Sequence, residues 1–584
     1  MARFRFSPRP NRAGEIQWRE WGDEAFADAR RRDVPVLLAI SAVWCHWCHV
    51  MDETSYSAPE IIAAVNERFV AIRVDNDERP DVNRRYNMGG WPSTVFLTPD
   101  GEIVHGGTYI APEPMLQTLT AVADIWRDKR DEIAQRVAEV VRREDAARAA
   151  KPGELTHEIV DVVRALTSGQ YDAQYGGFGR EPKFPQPKLL RFLLDEYRRE
   201  RSPDIETMLR TTLREMSSHG MYDAVEGGFF RYATQRDWNV PHYEKMLEDN
   251  AELLAIYADA HRAFSDAGLD RVVLHVVRWM DAVLFQPETG LWSGSQDADE
   301  HYYALDAAGR ARHDAPFVDR TLYTSWNALA AAAYVRAGDA LGDDALRDRG
   351  VRAARAIDRR LRDATGALCR FDDGSGPKLP GLLEDAATYL GLLLEVGDLE
   401  AALRVARRMR QDLEDRERGG FFDTPARDAP GRLARRERPL EENAAAADAL
   451  LRLAIASGDD EWRDVAVAAL RSFVGDFRQW GPFASSYANA VARALREPIS
   501  VVVVGPEERA RPLIRAARAS DDPDIVTVAL DPRRDTALLT QRGFPADRVA
   551  AYVCVGTSCT APLTDEDSLR RELTTSGHTS ATSR

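Results

Sequence analysis

The sequence predicts a multidomain chain in which an α/β region precedes a long all-α region and a small α/β appendage follows. Three observations carry that reading. A Cys-x-x-Cys pair, Cys45 and Cys48, stands where a strand-length apolar run gives way to a helical stretch. A Gly-aromatic turn then recurs between residues 150 and 497, and Ile499 to Gly505 (ISVVVVG) is a second buried-strand run.

Composition narrows the function classes. At 584 residues, 44% hydrophobic and 29% charged, the chain is too long for one ordinary domain and too apolar for a disordered one. Its 94 acidic side chains outnumber 78 basic ones, a net charge of −16, which argues against nucleic acid as the main partner because phosphate binding needs a basic surface. The longest apolar run, Val34 to Val43, is interrupted by Pro35 and Ser41 and is far too short to span a bilayer. Met1 to Trp18 lacks the apolar core of a signal peptide. The expected location is the cytoplasm, with no membrane partner. There a Cys-x-x-Cys pair reads as redox-active or metal-binding, while the looser pair Cys554 and Cys559 is expected to stay reduced and Cys369 stands alone.

Residues 1–140 read as α/β. Val34 to Ser41 is a buried strand, Pro59 to Glu67 a short helix, and Phe69 to Asp75 a second strand. Trp91-Pro92 opens a third strand, Ser93 to Thr98, and the Pro-Asp-Gly turn at 99–101 leads into a fourth, Ile103 to Tyr109. Ala111 to Ala150 is helical and increasingly charged. This order, with the cysteine pair at a strand-to-helix junction and a proline heading a later strand, resembles the thioredoxin fold. A cysteine in the first helical turn meets unpaired N–H groups and the positive end of the helix dipole, which favours the attacking thiolate. His46 adds positive charge there when protonated. The resemblance implies that Pro92 faces the pair and is cis, so the candidate catalytic residues are Cys45, Cys48 and Pro92. Zinc is an alternative for the same segment, but Cys45, Cys48, His46 and His49 are poorly spread for a tetrahedral site, and no metal is assigned.

The six turns begin at Gly176, Gly227, Gly290, Gly366, Gly419 and Gly481, at intervals of 51, 63, 76, 53 and 62 residues. Such a period fits two helices with their connections. Apolar periodicity gives twelve helices, roughly 155–169, 187–200, 203–219, 241–263, 269–285, 323–341, 343–362, 381–396, 398–415, 441–457, 459–477 and 485–496. Six two-helix repeats point to an (α/α)6 toroid over 150–497, with an inner ring around a central cavity.

Polar triplets mark the starts of alternate helices: Glu248-Asp249-Asn250, Ser325-Trp326-Asn327, Leu383-Glu384-Asp385, Glu441-Glu442-Asn443 and Tyr487-Ala488-Asn489. Two readings stand side by side for the asparagines Asn250, Asn327, Asn443 and Asn489, namely helix capping and lining of a pocket. For the carboxylates of these triplets, Glu248, Asp249, Glu384, Asp385, Glu441 and Glu442, lining is favoured. Two denser stretches join them as pocket candidates: Trp238, His242, Glu244 and Lys245 at one helix start, and Gln296, Asp297 and Asp299 after the third turn. Aromatic faces with convergent carboxylates suit a sugar, and His242 or His301 suits proton transfer in an epimerisation. The structural alternative is that these aromatics merely fill the barrel mouth.

The segments WCHWCHVM (44–51), DERPDVNRRY (77–86), GGWPSTVFLTPDG (89–101), PKFPQP (182–187), GGFFRYATQRDWNVPHYEKMLEDNA (227–251), SGSQDADE (293–300), TSWNAL (324–329), GGFFDTP (419–425) and AYVCVGTSCTAPLTD (551–565) resemble the spermatogenesis-associated protein 20-like family, which includes bacterial YyaL-type proteins. The resemblance implies a thioredoxin-like domain fused to a barrel similar to six-hairpin glycosidases and N-acylglucosamine epimerases. It delivers no settled reaction and no cofactor. Three readings follow: a thiol-disulfide oxidoreductase whose barrel holds a redox client or small ligand; a carbohydrate-active barrel, acting on a saccharide, with an accessory thioredoxin-like domain; or a non-catalytic interaction platform.

Residues 498–573 return to α/β character, with strands at Ile499 to Gly505, Ile525 to Leu530 and Ala551 to Val555 and a helix at Glu507 to Ala519. The polar stretch 574–584 is expected to be disordered.

Overall fold

The computed structural model describes residues 4–147 and 152–579. The chain divides into two compact units, Met1–Ala149 with Thr424–Glu437, and Ala150–Asp423 with Arg438–Arg584.

In the first unit α1 (Asp23–Arg32) leads into β1 (Val36–Ser41), every residue of which is buried. Then come α2 (His46–Glu53), α3 (Pro59–Arg68), β2 (Val70–Asp75), α4 (Pro80–Tyr86), β3 (Ser93–Leu97), β4 (Ile103–Gly107) and the long α5 (Pro112–Ala147). Pro59 and Pro80 each sit in a first helical turn, where the missing N–H costs nothing. The sheet order is β2-β1-β3-β4, with β1 parallel to β2 and antiparallel to β3. Alternating residues of β1 feed two cores: Leu37 and Ala39 pack with Met51 and Phe96, whereas Val36, Leu38 and Ile40 pack with Phe26 and Tyr86. This is the thioredoxin-like arrangement. The strands agree with the expected ones to within two residues; α1 and α4 were not anticipated.

Residues 424–437 were also unanticipated as part of this unit. Leu433 joins the core that contains Tyr86. The Tyr86 hydroxyl donates to the Gly101 carbonyl and accepts the Arg432 N–H, both at 2.7 Å, and Arg85 donates to the carbonyls of Arg432 and Arg435.

The second unit is a closed double ring. Its inner helices are α7 (Pro187–Glu200), α9 (Leu247–Phe264), α13 (Thr324–Leu341), α15 (Leu383–Val396), α17 (Leu440–Ser457) and α19 (Ser485–Leu495). Each packs on the next, and α19 returns to α7. The outer helices are α6 (His157–Ser168), α8 (Pro203–Ser218), α10 (Ala267–Trp279), α14 (Asp344–Arg360), α16 (Leu399–Leu413) and α18 (Glu461–Arg471). The short α11 (Glu300–Tyr303) and α12 (Ala307–Arg310) lie in the connection between α10 and α13. Five of the six glycine turns are tight turns within the connections from an outer to an inner helix, pairing Tyr171 with Phe178, Tyr222 with Phe229, Phe285 with Trp292, Arg362 with Leu368 and Glu414 with Phe421. Gly481 lies instead within a 3₁₀ segment.

The carboxyl-terminal sheet has the order Ile525–Leu530, Ile499–Val504, Ala550–Val555, Ser558–Cys559, flanked by α20 (Glu507–Arg518), α21 (Thr536–Arg542) and α22 (Glu566–Thr579). It is held to the C-terminal ends of the inner helices by buried ion pairs, with Arg199 donating to both oxygens of Asp524 at 2.9 and 2.8 Å.

Residues 574–579 are helical and continue α22, whose Leu569 and Leu573 pack in the core of the appendage; 580–584 lie outside the described residues. One expectation for this region needs correction. Cys554 and Cys559 form a disulfide, because the antiparallel register brings these two residues directly opposite each other across the hairpin.

Candidate functional site

Cys45 and Cys48 are joined in a disulfide at the amino end of α2. Cys45 is the N-cap of that helix, and its sulfur accepts the Cys48 N–H at 3.1 Å, so a donor that the first turn would leave empty points at the sulfur. Helix α2 is fixed from below by Asp52, one turn beyond Cys48. That carboxylate binds the buried Arg73 of β2 in two hydrogen bonds, at 2.7 and 2.9 Å, and accepts the Ser7 N–H. Before the pair, the Trp44 indole N–H donates to Asp77 at 2.7 Å and its ring meets Trp91 edge-on. The Trp91–Pro92 peptide bond is cis. Trp47, half exposed, packs against Tyr109, and His46 is exposed beside it. The pair therefore lies in an aromatic surround whose outer members face solvent. Among the described residues no group of three or more His, Cys, Asp or Glu is placed to share a metal ion.

The barrel candidates separate into two sets. Trp238 is fully buried, with its indole N–H on the Tyr175 carbonyl at 2.8 Å. Lys245 is also fully buried, donating to Asp223 at 2.6 Å and to the Gly227 carbonyl at 2.8 Å inside a cage of Phe230, Trp279 and Tyr303. Burial pushes its ammonium down to about 8 against the pull of Asp223. The same design recurs one repeat earlier, where Lys183 binds Asp172. These lysines neutralise the aspartates that shape the glycine turns. Gln296 accepts the Trp279 indole N–H, Asp297 holds its own neighbour's N–H, and Asp299 caps α11. His242 stacks on Tyr232 and lies 4.0 Å from the buried Glu244.

Capping takes the three asparagines at the fourth position of their helices. Asn250, Asn327 and Asn443 each bind both backbone groups of the aromatic residue after a glycine turn, namely Phe229, Trp292 and Phe421. Asn489 occupies the fifth position of α19 and instead bonds Asp195 and Arg199 of α7. At the third position Asp249 and Glu442 are half-buried, and Trp326 is buried against Tyr323.

Lys188, Glu248, Ser325, Glu384, Glu441 and Ser486 are the second residues of the six inner helices; the triplets already held Glu248, Ser325, Glu384 and Glu441, whereas Lys188 and Ser486 lie outside them. The Ser325 hydroxyl donates to Glu384 and the Ser486 hydroxyl to Glu441, both at 2.8 Å. Lys188 pairs with Glu252 and lies 3.8 Å from Glu441, while Arg370 binds Glu384 at 2.8 Å and Asp385 at 3.3 Å. Burial, reinforced by Glu384 and Glu252, pushes the Glu248 carboxyl well above its usual range, and Asp385 is raised by burial despite Arg370. Below the ring a cavity of about 1490 Å³ passes between the inner helices to the carboxyl-terminal appendage. Across it Asp259, Arg336, Glu395 and Arg452 alternate in charge, with 2.8 Å between Arg336 and Asp259 and 2.9 Å between Arg452 and Glu395.

Aligning the inner helices on Asn250, Asn327 and Asn443 and reading two residues back would have found this ring.

Residues 9–144 match the family model Thioredox_DsbH, described as a protein of unknown function, DUF255. Human spermatogenesis-associated protein 20 is 27% identical over 707 aligned positions that cover 96% of this chain and 90% of its own. The chain is similar to spermatogenesis-associated protein 20 over nearly its whole length. That likeness to spermatogenesis-associated protein 20 runs through both units. An uncharacterized Caenorhabditis elegans protein is 34% identical over 49% of this chain and 41% of its own length. The crystal structure of a sugar epimerase from a ruminal bacterium, 13% identical, aligns over 55% of this chain and 85% of its own with a TM-score of 0.46. No described helix is long and apolar enough to cross a membrane.

Proposed function

We propose that the first unit carries out thiol-disulfide exchange through Cys45 and Cys48. The observation that carries the reading is the placement of Cys45 at the N-cap of α2, its sulfur 3.1 Å from the Cys48 N–H. That N–H and the helix dipole stabilise negative charge on the sulfur, which lowers the thiol pKa and makes the thiolate the attacking species. In the reducing direction the Cys45 thiolate attacks one sulfur of a client disulfide, forming a mixed disulfide and releasing the other client sulfur as a thiolate. The Cys48 thiolate then attacks the Cys45 sulfur, closes the Cys45–Cys48 disulfide and releases the second client sulfur, so two electrons pass to the client. Pro92 and the Trp44–Trp91 wall position the incoming chain.

A Cys48→Ser variant tests this, because it removes the resolving sulfur and leaves the mixed disulfide to accumulate. Incubated with an oxidised peptide or glutathione disulfide, it should yield a dithiothreitol-sensitive adduct on Cys45. Absence of any adduct, with the reduced Cys45 thiol present by mass, would sink the proposal.

A further inference from the structure

We propose that the ring at the N-terminal ends of the inner helices binds a small organic cation carrying an ammonium group. The proposal is independent of thiol exchange in the first unit. Five carboxyl groups, Glu248, Glu252, Glu384, Asp385 and Glu441, gather there around two cations, Lys188 and Arg370. Carboxylates enclosed without matching positive charge repel one another and lose hydration, so an added cation relieves the cluster.

A second observation points the same way. Asp385 is fully buried, and one of its oxygens accepts the Ser325 N–H at 3.0 Å and lies 3.3 Å from Arg370. The other oxygen has no hydrogen-bond partner, an acceptor that an ammonium donor would satisfy. The ring is also reachable: enclosed by six helices, Lys188 and Glu441 still keep 48% and 40% of their side-chain surface open, and Lys188 and Glu252 line the 1490 Å³ cavity. Of the ring residues Lys188 and Glu252 face that space, which lies below the ring and is large enough to admit a small molecule to it. Since no three of these carboxylates are placed to share an inorganic ion, the cation has to span the cluster with several N–H donors.

Binding should depend on pH through Glu248. The groups acting on it are Lys188 of α7, Asp249 and Glu252 of its own helix, Glu384 of α15, and Arg370. Ser325 of α13 brings no charge. Raising the pH ionises Glu248 and strengthens the site.

Calorimetric titration of the full chain with spermidine and glucosamine, against glucose and calcium chloride, tests the proposal. The ammonium probes should bind at pH 8 and glucose should not, although glucose has the shape of glucosamine. Affinity should fall at least tenfold at pH 5, and at least tenfold at pH 8 in Glu248→Gln, which removes a charge from a crowded site and should remain folded by thermal melting. Equal binding of glucose and glucosamine, preference for calcium, no binding of either ammonium probe, or unchanged binding in Glu248→Gln would each overturn it.

Discussion

The Asn250 side chain accepts the Phe229 N–H at 2.7 Å and returns a hydrogen bond to the Phe229 carbonyl at 3.0 Å, so one amide closes both backbone groups of the residue after a glycine turn. Its amide nitrogen also donates to the Met246 carbonyl one helical turn back. Gly228 makes room, since a Cβ there would stand 2.9 Å from the Trp279 ring and 3.3 Å from the Asn250 oxygen, and its φ of +84° already favours glycine. Asn327 and Asn443 repeat the arrangement with Trp292 and Phe421. The clamp ties each turn to the next inner helix and so sets the step of the ring.

Replacing Asn250 with alanine should therefore destabilise the second unit by about 2–4 kcal/mol, because buried backbone groups lose their partners. Asn250→Asp keeps the acceptor for the Phe229 N–H and loses the donors, so it should also destabilise. Urea denaturation followed by tryptophan fluorescence measures both. A loss below 0.5 kcal/mol in Asn250→Ala would refute the clamp.

Much of this architecture was legible in the sequence. The twelve helices follow from apolar period and glycine punctuation because each helix buries one stripe against its neighbours. The first unit follows because β1 is buried on both faces and reads as a continuous apolar run. Residues 424–437 were not legible, since they are held by main-chain groups of Arg432 and Arg435, by Leu433 and by arginine pairs to Asp81 and Glu102, contacts across 330 residues or more that leave no local sequence pattern. The site was only half legible. Asp385 and Asn489 look equivalent to Asn250 in the aligned triplets, but they stand at the third and fifth helical positions, and a slip of one residue turns a side chain by about 100° around the helix. Lys188 and Ser486, the second residues of α7 and α19, were missed because they stand outside the aligned triplets.

Lys245 gives a second prediction. Its ammonium sits between Asp223 and the Gly227 carbonyl in a buried aromatic cage, and Arg310 shares the same carboxylate at 2.7 Å. Lys245→Met fills the space but removes one of the two cations, so it should lower stability by about 3 kcal/mol, toward the low end for broken buried pairs. Lys183→Met should behave alike, because Asp172 keeps Arg236 as its second partner at 2.8 Å. Calorimetric melting checks both. An unchanged melting temperature in either would refute the structural role.

The disulfide between Cys554 and Cys559 yields a third. It closes a hairpin whose strands already pair, so its contribution comes from restricting the unfolded chain, roughly 2 kcal/mol for so short a loop. Cys559→Ser should lower the stability of the carboxyl-terminal sheet by that amount. Hydrogen exchange at Ala550–Val555, compared between the two proteins, reports it directly. Equal protection would show that the bridge does not form in solution.

The last prediction concerns pH. Glu248 is held protonated above its ordinary value of 4.5 by burial and by the Glu384 and Glu252 carboxylates. In that window the folded chain binds more protons than the unfolded chain, so this residue makes stability fall as the pH rises from 4.5 through its folded pKa. Glutamine keeps the shape and the proton-bearing side while removing the charge. Glu248→Gln should thus melt higher than the parent at pH 8, by about 2–4 °C for each kcal/mol recovered, and at the same temperature at pH 4.5. Differential scanning calorimetry at the two pH values decides it. A variant less stable at pH 8 would mean that the ionised Glu248 is held favourably, and the crowding of carboxylates at the ring would not be what raises it.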